Sequence, residues 1–119
     1  MNTEAKILIV EDSAFMRNVL KKILEGLGIT NVIEAEDGKE CLEKVKSESP
    51  DLILLDMIIP EVTGMEILKE IGTEKAIIVV SAVGQEEIIE EAKALGAMNY
   101  VTKPFENNAV EEAIKNALS

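Results

Sequence analysis

The 119 residues are enough for one compact domain, which can bury roughly two thirds of its unfolded surface, and too few for two. Twelve basic against 23 acidic residues give a formal charge of −11, and the sequence pI is near 4.4; both argue against binding nucleic-acid phosphates or anionic lipid. A single cysteine, Cys41, excludes an intramolecular disulfide, and the absence of His removes the usual zinc ligand and the base of His-dependent triads, leaving carboxylates, Lys and Ser to carry any chemistry.

In chain order, the apolar run Lys6–Val10 predicts a first strand. Met16, Val19, Leu20, Ile23, Leu24 and Leu27 then recur at three- and four-residue spacing on one helical face, and Gly28 stops it. Asn31–Ala35 predicts the second strand, and Leu42 with Val45 marks a helix after Asp37-Gly38. Leu52–Leu55 predicts the third strand, followed by a helix on Ile67, Leu68 and Ile71 that ends at Gly72. Ala76–Val80 predicts the fourth strand, followed by a helix on Ile88, Ile89, Ala92 and Leu95 that ends at Gly96. Asn99–Val101 predicts the fifth strand, and Val110, Ala113, Ile114, Ala117 and Leu118 a final helix. KILIV, DLILLD and AIIVVS lack polar alternation, as expected of a parallel sheet covered on both faces.

Strict alternation with short connections predicts an α/β fold: a five-stranded parallel sheet, doubly wound, with five helices and residues 1–119 as a single domain. The chain is expected to lack a signal leader, a membrane span and an output domain, which makes the cytoplasm its expected location. Cys41 and the five methionines are expected to be packing residues.

Such sheets bind ligands at the carboxyl ends of their strands. The residues just past the apolar runs are Glu11 and Asp12, Asp56, Ser81 and Lys103. Each alone has an ordinary reading: Glu11-Asp12 as a turn with Asp12 or Ser13 capping the first helix, Asp56 as a strand end, Lys103 before Pro104 as a loop lysine. Together they predict one site. Converging carboxylates repel unless a cation intervenes, and Mg²⁺ suits oxygen donors that leave room for water and phosphate. Asp56 is then the candidate nucleophile toward a phosphoryl donor, with Lys103 neutralising the phosphoryl oxygens and the Ser81 hydroxyl donating to one of them.

ILIVEDS, DLILLDMIIPEVTG, IIVVSA and YVTKPF, in this order and spacing, resemble the four signatures of response-regulator receiver domains of two-component systems, across essentially the whole chain. The resemblance implies the flavodoxin-like fold, Asp56 as phosphorylation site, Asp12 as direct Mg²⁺ ligand, Glu11 as a ligand through water, and the main-chain carbonyl of Ile58 as a further ligand. It also implies a cis Lys103-Pro104 bond. Ser81 and Tyr100 match the switch positions, Tyr100 turning inward when Ser81 moves toward the phosphoryl group. Phosphorylation would bias a surface formed by the fourth strand and helix and the fifth strand and helix. Glu86, Glu87, Glu90 and Glu91 on that surface are either a solvated face or a preference for basic partners.

DSAFMR, SAVGQ and the expected lack of an output domain are most similar to stand-alone chemotaxis receivers of the CheY type. That implies a CheA-like histidine kinase as donor and a flagellar or archaellar motor or adaptor protein as recipient. A phosphorelay intermediate and a receiver excised from a DNA-binding regulator are the alternatives within signalling. A pseudo-receiver that only binds, and an aspartate-nucleophile phosphohydrolase, are the alternatives outside it. The hydrolase would need a second acid two residues after Asp56, where Ile58 stands. The acidic pair is Glu-Asp where receivers more often have Asp-Asp, and Ile59 and Thr63 replace the commoner Met and Asp. Apolar Ile58 and Val83, two residues beyond Asp56 and Ser81, predict slow self-dephosphorylation, to be read as a phospho-Asp56 lifetime well above seconds.

Overall fold

Uninterrupted apolar strands have no face that tolerates water, so they become the middle layer between two helical layers. The computed structural model describes residues 1–57, 59, 62–82 and 86–119, with the side chains of Ser81 and Ala82 excepted. Among these residues lie β1 (Ile7–Val10), α1 (Ala14–Gly26), β2 (Val32–Ala35), α2 (Gly38–Glu48), β3 (Leu52–Asp56), α3 (Gly64–Ile71), β4 (Ile77–Ala82), α4 (Glu86–Ala94), β5 (Asn99–Lys103) and α5 (Asn107–Leu118). The strands are parallel and ordered β2-β1-β3-β4-β5, so the strand order reverses at β1 and β3.

One face of the sheet packs Ile7, Ile9, Leu52, Leu54, Ile78 and Val101 against α1 and α5 through Leu20, Ile23, Leu24, Val110, Ala113 and Ile114. The other packs Leu8, Val10, Ile53, Leu55, Ile77 and Val79 against α2, α3 and α4, including Cys41, Ile67, Leu68 and Ala92. Alternate residues of each strand point to opposite layers, so both cores come from the same short runs.

Local signals explain the element ends. The Ser13 hydroxyl accepts from the Met16 N–H and caps α1, Asp37 caps α2 through the Glu40 N–H, and Thr63 caps α3 through the Glu66 N–H. Gly28 and Gly96 follow helices with φ of 84° and 114°, the left-handed conformation that glycine tolerates best. A Cβ on Gly64 would lie 2.6 Å from the Met57 Cα, so only glycine lets α3 begin this close behind β3.

Two expectations are corrected. The strands reach past the apolar runs: Asp56 ends β3, Ser81 lies inside β4 opposite Thr102, and Lys103 ends β5. Their backbones continue the ladder although their side chains are polar. The methionines also divide. Met57 is buried and Met65 packs partly on the core, whereas Met1 and Met98 are 47% and 52% exposed, one at the terminus and one at the approach to the edge strand β5. Cys41 is fully buried, and burial pushes its thiol up to about 12, which keeps it protonated and inert. Glu86, Glu87, Glu90 and Glu91 are all exposed along α4.

Candidate functional site

Parallel pairing brings the carboxyl ends of β1, β3 and β5 to one edge of the sheet. Glu11 directly follows β1, and its N–H continues the ladder by donating to the Ala35 carbonyl at 3.1 Å. Asp56 pairs with Val80, and Lys103 with Ala82. From these ends the Lys103 Nζ donates to Glu11 Oε1 at 3.0 Å and to Asp56 Oδ2 at 3.1 Å. Glu11 is 3% and Asp56 8% exposed, while Asp12 is exposed. Beneath them lies an apolar floor of Val10, Met16, Leu20, Leu54 and Val80. The Lys103-Pro104 bond is cis.

One carboxylate oxygen from each of Glu11, Asp12 and Asp56 lies within 4.8 Å of the others, close enough to hold a metal ion. Glu11 Oε2 is buried and has no hydrogen-bond partner among the described residues. An orphaned buried carboxylate oxygen on a residue grouped with two more carboxylates fits a hard cation, because one Lys cannot neutralise three acids. The longer Glu side chain at the first acidic position is what reaches Lys103. The predicted Glu11, Asp12, Asp56 and Lys103 are thus brought together. Ile58, Val83 and the Ser81 side chain lie outside the described residues.

Burial, the neighbouring Asp56 carboxylate and its charge raise the Glu11 carboxyl from 4.5 to about 7, against the opposing pull of Lys103. For Lys103, burial lowers the ammonium pKa, but hydrogen bonds to Glu11 and Asp56 outweigh it and the net direction is upward. The Glu11 shift fixes a sign for the metal-free protein. Between pH 4.5 and about 7 the folded state keeps a proton that the unfolded chain has released, so this group's contribution to stability falls as pH rises. The loss is on the order of 3 kcal/mol across that window. Urea unfolding of wild type and Glu11→Gln at pH 5 and pH 8, in chelator, reads it: the wild type should lose stability relative to the variant. A parallel pH dependence in both would refute the assignment.

One residue outside the predicted set also touches the site. Arg17 on α1, only 9% exposed, donates from Nη1 to the Glu11 carbonyl at 2.8 Å, and its Nε and Nη2 pair with Glu34 and Glu36 of the β2 segment at 3.0 and 3.4 Å. The one sequence signal was Glu34, an acid within the otherwise apolar run that forms β2.

The arrangement defines a doubly wound α/β protein with an acidic cluster able to hold a cation, and a lysine beside it, at its strand ends. The family model described as response regulator receiver domain matches residues 7–115. The chain is similar to the chemotaxis protein CheY of Bacillus subtilis, 43% identical over 117 residues, which covers 96% of this chain and 98% of that protein. It is similar to sporulation initiation phosphotransferase F of the same organism, 38% identical, covering 95% of this chain and 93% of that protein. Among solved structures, the chemotaxis response regulator CheY4 of Vibrio cholerae superposes with a TM-score of 0.85 at 28% identity, covering 96% of this chain and 98% of that one. The chain belongs to the response regulator receiver domain family.

Proposed function

We propose that Asp56 accepts a phosphoryl group from a phosphohistidine of a CheA-like kinase, and that the product alters which proteins the domain binds. The observation that carries this reading is the bridge of Lys103 between Glu11 and Asp56 on a buried floor. It supplies a positive charge beside a carboxylate that would otherwise repel an anionic donor. In the transfer, an Asp56 carboxylate oxygen attacks phosphorus, the bond from phosphorus to the donor nitrogen breaks, and the departing imidazole takes its proton from solvent. Lys103 holds its ammonium at the oxygens that gain charge, and the Ser81 hydroxyl is assigned to donate to one of them.

Glu11, Asp12 and Asp56 would hold Mg²⁺, with the Ile58 carbonyl as a further ligand. The ion supplies charge neutralisation to the phosphoryl oxygens when bound. The domain would catalyse only its own phosphorylation and dephosphorylation. Incubation with acetyl phosphate and Mg²⁺, followed by intact mass measurement, tests the reading: one added phosphoryl group supports it. Turnover of external phosphoesters would favour the hydrolase, and no adduct the pseudo-receiver.

For output, we assign the face of β4, α4, β5 and α5, with Tyr100 as the group that turns inward. Supporting this, Tyr100 is 39% exposed with the Lys93 ammonium 4.6 Å from its ring centroid, an arrangement that a rotation of the ring would break. The likeness to CheY proteins supports chemotaxis signalling to a motor or adaptor protein, in the cytoplasm; among the described residues no helix is long and apolar enough to cross a membrane. The likeness to a sporulation phosphotransferase supports a second reading as phosphorelay intermediate, in which the group passes from Asp56 to another histidine. Incubating the phosphorylated protein with a histidine phosphotransfer domain separates the two.

A further inference from the structure

We infer that Arg17 is a positioning residue for the acidic turn, a guanidinium clamp from α1 and β2 that sets where Glu11 and Asp12 present their carboxylates. The inference rests on reading that turn as a metal-binding set. Three acceptors converge on one buried guanidinium. Nη1 reaches the Glu11 main-chain carbonyl at 2.8 Å, Nε reaches Glu34 Oε1 at 3.0 Å, and Nη2 reaches Glu36 Oε1 at 3.4 Å.

On the other side, the Glu11 N–H is held by the Ala35 carbonyl. The Glu11 peptide groups are therefore fixed from both directions, by β2 backbone and by Arg17, while the side chain is free to face Lys103 and Asp56. Glu34 is itself fixed: its second carboxylate oxygen pairs with Lys21 at 3.3 Å, and its carbonyl accepts from Lys44. Arg17 thus hangs on a braced acid, and the brace runs from α2 through β2 to the first residue after β1.

This placement is hard to read as packing alone. A buried guanidinium is costly unless its donors are met, and here one is spent on a main-chain carbonyl at the foot of the acidic turn. Mg²⁺ demands near-octahedral geometry at short distance, so a turn that wanders by a fraction of an ångström loses affinity. A planar fork presents separate nitrogens to the three acceptors, whereas a lysine ammonium offers all its donors from one atom and reaches fewer of them at this spread.

The test is Mg²⁺ affinity, measured by calorimetry on folded protein without phosphoryl donor. Arg17→Gln is expected to bind Mg²⁺ about tenfold more weakly than wild type, the usual effect of removing an outer support of a metal ligand. Arg17→Lys should recover only part of the loss. Ile114→Val, a core change on α5, serves as the control for stability alone: it should lower the unfolding midpoint and leave Mg²⁺ affinity unchanged.

If Arg17→Gln does not fold, Glu34→Gln carries the test, because it removes the charge that orients the guanidinium and keeps the side-chain volume; weaker Mg²⁺ binding is again expected. Affinity within about twofold of wild type in Arg17→Gln, or in Glu34→Gln where the former does not fold, overturns the clamp, as does full recovery by Lys. A wild type that binds no Mg²⁺ overturns the metal reading itself, and the clamp with it.

Discussion

Asp56→Asn is expected to take up no phosphoryl group from acetyl phosphate and Mg²⁺, where the wild type gains one. The amide nearly matches the carboxylate in shape, and its oxygen can still accept from Lys103, so the packing of this buried position survives. What disappears is the nucleophile: an amide oxygen cannot form a stable acyl phosphate, and the neutral head holds a cation poorly. Stability should change by no more than about 1 kcal/mol, because the shape is kept and a like-charge contact with Glu11 is removed. Intact mass with and without donor, beside a melting curve, reads both parts. An adduct that persists in the variant would move the acceptor to Glu11 or Asp12.

Lys103→Met should have the next largest effect, with a signature of its own. The substitution keeps the unbranched stem over the apolar floor and deletes the ammonium that bridges Glu11 and Asp56. Two buried carboxylates then face each other and Asp12 without their countercharge. Breaking such a buried pair from one side costs roughly 3 kcal/mol at pH 8 in chelator. Excess Mg²⁺ should restore part of that loss, because a cation at the acids replaces some of the missing charge.

The rate of phosphoryl uptake should still fall on the order of 100-fold even with Mg²⁺ saturating, since the charge stabilising the transferring oxygens is gone. Urea unfolding with and without Mg²⁺ separates the stability effect from the rate effect. A variant whose stability ignores Mg²⁺ would mean that the ion does not sit among these carboxylates.

The fold was legible because burial on both faces leaves strands no room for polar residues, and runs such as KILIV and AIIVVS carry that constraint openly. Strand ends were less legible for the same reason. Apolarity reports which side chains are covered, whereas pairing is a property of the backbone, and Asp56, Ser81 and Lys103 keep pairing after the apolar run has stopped.

The Glu11, Asp12, Asp56 and Lys103 set was readable from order along the chain, since parallel topology sends every strand end to one edge. Arg17 was not readable. Its burial depends on Glu34 and Glu36 arriving from the β2 segment, and helical spacing places it beside Met16 with no signal of its own that it faces inward, only the stray acid Glu34 in another element. Met98 misled in the opposite sense, because an apolar side chain next to an edge strand has a layer on only one side.

The bridge from Lys103 to Glu11 joins positions 92 residues apart, from the first strand to the last. During synthesis the acidic turn and the acceptor emerge long before their countercharge. A chain interrupted after β4 carries Asp56 but not the Lys103 ammonium that offsets its charge, and its acids repel any anionic donor. On the proposed function, phosphoryl acceptance would thereby be tied to completion of the sheet, and a half-made or clipped chain would stay silent to a kinase instead of sending a false signal.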